Sequence, residues 1–165
     1  MTRLTWLDAW VNTAIIMSAR SACQRLGVGA VIVSAQNVIL ATGYNGPPAG
    51  AEADSCMRCE RSQANAAPVA DYSDCVATHA EINALLRTDR TAREGGAIYV
   101  TTAPCYQCAT AIANSGLADL WYIPSNADER RNFTRSENLL RQSGVHVHRV
   151  QLEDNITLIY EVESA

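Results

Sequence analysis

Residues 78–108 read THAEINALLRTDRTAREGGAIYVTTAPCYQC. Three elements are legible in this stretch. His79–Arg87 has apolar residues at Ile82, Leu85 and Leu86, the spacing of a helix with those three side chains inward. Gly95 and Gly96 lead into Ala97–Thr102, a β-branched and aromatic run that predicts a strand. Pro104 then introduces a second helix, Cys105–Asn114, which Ser115-Gly116 ends. The order helix, strand, helix places His79 and Glu81 at the start of one helix and Cys105 and Cys108 at the start of another.

Those four residues carry the chemistry. A histidine and two cysteines are borderline-to-soft ligands suited to zinc, and three of them leave one position of a tetrahedral ion open. That is the catalytic arrangement; a closed structural site, with Glu81 a mere surface charge, would normally offer four protein ligands. Helix N-termini favour thiolate over thiol at Cys105 and Cys108. Zinc held there would make water reactive near neutral pH. Glu81 is not a ligand in this reading. Residues i and i+2 diverge on a regular helix, so His79 and Glu81 serve one site only if the metal lies off the helix's N-terminal end. Glu81 would then carry protons from the water to the substrate.

Working outward, Thr5 and Asp8 resemble a helix cap. Apolar residues at Leu7, Trp10, Val11, Ala14 and Ile15 predict a helix running to about Ala22. Val28–Val33 and Val38–Gly43 form a hairpin turned at Gln36-Asn37. A Gly/Pro-rich loop, Gly43–Gly50, follows, and residues 51–73 show no period. Downstream, Leu120–Ile123, Val145–Val150 and Ile156–Val162 predict strands, with a helix at Asn132–Gln142 closed by Gly144. Strands alternating with helices imply a layered α/β domain, and the opening hairpin makes its sheet mixed. No internal repeat or linker interrupts the 165 residues, which suit one domain, 1–165, with a Cys-bearing insertion at about 51–75.

Composition narrows the function classes. Apolar residues make up 48% of the chain, which excludes a disordered protein. Thirteen basic against 17 acidic residues leave a net charge of −4, a poor balance for stable nucleic-acid binding. Every basic residue is an arginine, so Schiff-base chemistry through lysine is excluded and any phosphate falls to Arg, hydroxyl or backbone donors. No apolar run reaches the ~20 residues of a bilayer span. Nor does the N-terminus have the layout of a signal peptide. A cytoplasmic, reducing setting follows, in which six cysteines suit metal better than disulfides.

The pairing of His-Ala-Glu with Pro-Cys-Tyr-Gln-Cys resembles the zinc nucleobase deaminases, whose signature is H-x-E with P-C-x-x-C. Ser21-Ala22-Cys23-Gln24-Arg25, Val28-Gly29-Ala30 and Thr42–Gly50 (TGYNGPPAG) narrow this. They look like the deoxycytidylate (dCMP) deaminases and their competence-associated bacterial relatives, a similarity spanning about Trp6 to Tyr122. The resemblance implies a three-layer α/β/α cytidine deaminase-like fold with a central mixed sheet of about five strands. It also implies hydrolysis of dCMP to dUMP and ammonia, supplying dUMP for thymidylate synthesis. His79, Cys105 and Cys108 would be the zinc ligands and Glu81 the catalytic acid–base. Asn45 would bond the substrate's sugar, with Tyr44, Gly46 and Ala80 around the nucleotide and Arg25 a forked donor to its phosphate. By the same resemblance the protein is a homohexamer, activated by dCTP and inhibited by dTTP, with Mg accompanying a triphosphate effector.

Cys23, Cys56, Cys59 and Cys75 form a possible second, structural zinc site clamping the insertion. Alternatively, Cys23 and Cys75 are small buried hydrophobes. His146 and His148 share a strand face and read as a half-exposed pair. Trp6, Trp10 and Trp121 read as core or subunit-interface residues. Past Tyr122 the resemblance fades: Ile123–Asp128 lacks a tyrosine common in the family, leaving that wall of the pocket unassigned. Substrates such as dCTP or 5-modified dCMP therefore stay open. So do a tRNA or single-stranded nucleic-acid deaminase and a non-catalytic nucleotide sensor, though the charge balance opposes the first and Glu81 the second.

Overall fold

The computed structural model describes residues 3–51, 56, 75–125, 128 and 132–151. Helix α1, Trp6–Ser18, starts at a reciprocal cap: Thr5 Oγ1 accepts from the Asp8 N–H at 3.1 Å and the Asp8 carboxylate from the Thr5 N–H at 3.2 Å. Strands β1 (Gly29–Val33) and β2 (Ile39–Tyr44) form the expected hairpin. Its turn is held by Ser34 N–H to Val38 C=O at 2.8 Å, with Asn37 at φ 60°. Then come α2 (Ala80–Leu86), the short α3 (Arg90–Arg93), β3 (Ala97–Val100), α4 (Tyr106–Ala113), β4 (Asp119–Tyr122), α5 (Phe133–Gln142) and β5 (His146–Arg149).

The five strands lie in the order β2-β1-β3-β4-β5. β1 runs antiparallel to both neighbours, while β3, β4 and β5 are parallel. The sheet is mixed, as expected, and period-2 alternation divides its faces. Ala30, Ile32, Ile98, Val100 and Leu120 pack with Ala80, Ala84, Ala109, Ile112 and Leu140 from α2, α4 and α5. Val31, Val33 and Tyr99 face the other way, onto Trp10, Val11 and Ala14 of α1. Helices thus cover both faces, giving a three-layer α/β/α arrangement of the cytidine deaminase-like kind. No helix among the described residues is long and apolar enough to cross a membrane.

Several details depart from the sequence reading. Helix α1 stops at Ser18, four residues short of Ala22. Ser18 Oγ bonds back to the Ile15 carbonyl at 2.7 Å, and Ser21 Oγ turns instead to Asn45, side-chain bonds that compete with helix continuation. Leu86, expected inward, is 77% exposed. Helix α2 spends its inward face on Ala80, Glu81, Ala84 and Leu85, and Leu86 closes its last turn on the far side. The tryptophans do not depart: Trp10 is core, and Trp6, 53% exposed in the single chain, stacks on it at 5.1 Å. Trp121 is half-buried between Tyr99 and His148. Helix α3 has no apolar period; Arg93 fixes it by bonding the carbonyls of Leu85, Thr88 and Ser115. The strand expected at Ile156–Val162 and most of the insertion lie outside the described residues.

Candidate active site

Two close approaches set the site's position. A Cβ on Gly43 would stand 2.1 Å from the Ala80 carbonyl oxygen and 2.7 Å from the Ala84 nitrogen. Only glycine lets β2 lie this tightly on the first turn of α2. Gly29 does the same for α1 on the opposite face, 1.9 Å from the Ala14 carbonyl oxygen. Beyond β2, Gly46 and Thr78 exchange two backbone hydrogen bonds of 3.2 and 2.8 Å. Asn83 Nδ2 donates to the Tyr44 carbonyl at 2.8 Å. The Tyr44–Gly46 loop is therefore fastened to the segment that delivers His79. At the other side, Thr101 at the end of β3 is tied to Gly29 by its own N–H and by its hydroxyl. Buried Thr102, Ala103 and Pro104 then lead to Cys105.

His79 is the N-cap of α2 and Cys105 the N-cap of α4, both with extended backbone and neither making a side-chain cap bond. Their side chains thus turn away from the helix start, which resolves the i, i+2 problem: His79 sits before the helix and Glu81 within its first turn. His79 Nδ1 lies 3.4 Å from Cys105 Sγ and 3.3 Å from Cys108 Sγ. Among the described residues these three form a group whose ligand atoms all lie within 4.8 Å of one another. Zinc bonds of ~2.3 Å to sulfur and ~2.0 Å to nitrogen at a tetrahedral angle would put N and S about 3.5 Å apart. The trio fits that ion.

The electrostatics agree. The Cys105 thiol is lowered to about 4, first by the hydrogen bond from Cys108 and also by His79, against burial. Cys108 is pushed up by that same bond, by burial and by the nearby Glu81 charge. Glu81, 3% exposed, is raised chiefly by burial, with its own backbone N–H and His79 pulling it down. Two sulfurs and a carboxylate crowded together out of water hold their full negative charge only beside a cation. Glu81 and Cys108 act on each other's protonation, so Glu81 stands against the group without belonging to the ligand trio.

The remaining residues fare differently. Asn45 is buried, and its side chain turns inward. Oδ1 accepts from Ser21 Oγ and the Val28 N–H, both at 2.7 Å, and Nδ2 donates to the Leu26 carbonyl at 2.9 Å. One of its two amide hydrogens is left for a ligand. Ala80 is wholly buried in the core, so only its first-turn N–H is available. Gly46 is buried in its bridge, and Tyr44 is half-buried, 6.0 Å beneath the Arg20 guanidinium. Arg25 is exposed on the loop before β1. Of the second set of cysteines, Cys56 is buried and Cys23 and Cys75 half-buried; Cys59 lies outside the described residues. Ser21, quoted from sequence only as part of its motif, and Asn83 brace the loop. Asn83, with Glu81 one of two polar residues on this helix and four residues after His79, is the available signal. His146 and His148 do pair on one face, both against Asp119 at 3.5 and 2.7 Å.

Residues 4–123 match the family described as the cytidine and deoxycytidylate deaminase zinc-binding region. The deoxycytidylate deaminase of Mycobacterium phage D29 is 45% identical over 127 residues, 74% of this chain and 97% of its own. ComE operon protein 2 of Bacillus subtilis is 33% identical, covering 94% of this chain and 77% of its own. Among solved structures, the dCMP deaminase of cyanophage S-TIM5 in complex with dCMP and dUMP superposes with a TM-score of 0.71. It is 28% identical and covers 91% of this chain and all of its own.

Proposed function

The chain belongs to the cytidine and deoxycytidylate deaminase zinc-binding family, and on that premise we propose that it hydrolyses dCMP to dUMP and ammonia. The observation that carries this reading is Glu81, buried beside three converging candidate zinc ligands. His79, Cys105 and Cys108 would hold the metal, which when bound supplies Lewis acidity and a water whose pKa falls to about 7. The Glu81 carboxylate takes a proton from the attacking water, gives it to N3 of the cytosine ring, and then serves the departing amine at C4. Its burial excludes competing solvent at that oxygen. The names of the phage D29 and S-TIM5 proteins support dCMP as the substrate.

Around the base, the Ala80 N–H and the uncommitted Asn45 amide hydrogen would orient the nucleotide, with Tyr44 and Gly46 lining the loop and Arg25 reaching the phosphate. Family resemblance supports a homohexamer regulated by dCTP and dTTP with Mg, and the sequence pattern supports a cytoplasmic setting. Cys23, Cys56, Cys59 and Cys75 would hold a second zinc within a single domain of residues 1–165.

The test is product formation from dCMP beside dCTP, 5-methyl-dCMP, deoxycytidine and cytidine, with and without dCTP or dTTP. Selective conversion of dCMP to dUMP is expected. Turnover of another member of the set in its place would retain the zinc chemistry and discard the substrate; turnover of none would discard both.

A further inference from the structure

The side of the site bounded by α4 and α5 holds an arginine that has no acidic partner among the described residues. β3 and β4 are parallel, so α4, which follows β3, and α5, which follows β4, both begin at the carboxyl edge of the sheet. That edge is where open α/β sheets bind ligands. Tyr106, the first residue of α4, directly follows Cys105 and is 40% exposed. Arg135, in the first turn of α5, lies over its ring with the guanidinium carbon 4.1 Å from the centroid.

Among the described residues, other arginines of this region are engaged. Arg93 bonds three carbonyls, while Arg141 and Arg149 share Glu137. Arg135 has no hydrogen bond or ion pair from its guanidinium among the described residues; the tyrosine ring alone fixes it. Stacking orients a guanidinium through its face and leaves its in-plane N–H fork, five donors, for an anion. In a chain of net charge −4, a cation unpaired among the described residues and oriented on the residue that follows Cys105 is matched to a phosphate monoester.

We propose that Arg135, held on Tyr106, recognises the 5′-phosphate of the substrate and makes the enzyme select a nucleotide over a nucleoside. The inference rests on the deaminase reading and assigns the pocket wall that the sequence left open. It adds a donor on the α4–α5 side to any contact from Arg25.

The experiment compares kcat/KM for dCMP and deoxycytidine, with zinc content, in wild type, Arg135→Gln, Arg135→Lys and Tyr106→Leu. The dCMP-over-deoxycytidine preference should fall about 10- to 100-fold in Arg135→Gln, the worth of a charge-assisted bond, chiefly through KM for dCMP. Arg135→Lys and Tyr106→Leu should fall between. A preference within about twofold of wild type in zinc-loaded Arg135→Gln would overturn the proposal. Calorimetric binding of dCMP to the same proteins keeps the two readings apart. Wild type that binds dCMP without turning it over loses the deaminase reading alone, and equal binding by Arg135→Gln loses this one.

Discussion

His79 and Cys105 occupy helix positions where Ser, Thr, Asp or Asn ordinarily bonds the first-turn N–H groups. Neither makes that bond, so both helix starts forgo capping and turn their side chains to the site. The sequence motif exposed the ligands but not this device, because residue spacing describes positions along a helix rather than the bend at its end. Asn45 shows the converse. The family resemblance implies a ligand contact for it, whereas long-range bonds to Ser21, Leu26 and Val28, invisible in local sequence, commit most of its amide. Gly43 gives a residue-scale prediction. In Gly43→Ala the new carbon meets the Ala80 carbonyl and should destabilise the fold by about 1–3 kcal/mol. Because Ala80 lies between His79 and Glu81, the folded fraction should also lose activity. Denaturant titration and rate per mole of bound zinc would show both effects, and a variant with wild-type stability would contradict the close packing.

At the scale of elements, apolar period located α1, α2, α4, α5 and the strands to within a few residues. It failed where side-chain bonds or tertiary packing decide. Ser18 and Ser21 end α1 early, Leu86 rotates outward, and the charged α3 is held by Arg93 rather than by an apolar face. Helix α1 lies on the sheet face away from the trio, so its stability separates from catalysis. Thr5→Ala, which breaks the reciprocal cap, should cost about 1 kcal/mol and lower the melting temperature with kcat/KM for dCMP retained. A parallel loss of activity would show that α1 shapes the site.

At the scale of the molecule, the hairpin and the mixed α/β class were legible, but the strand order β2-β1-β3-β4-β5 was not. Nothing local in the chain states that β3 pairs with β1 across the catalytic helix, yet that pairing brings Cys105 to His79. The assembled domain buries a carboxylate beside two cysteine sulfurs and a histidine, an arrangement matched to a divalent cation and a proton carrier. The most direct measurement is zinc stoichiometry and dCMP turnover in the same preparation of Glu81→Gln. Zinc bound at His79, Cys105 and Cys108 should remain as in wild type while kcat falls by about 10²- to 10⁴-fold. Turnover at the wild-type rate, or loss of that zinc from folded protein, would contradict the assignment of metal to the trio and of the proton to Glu81.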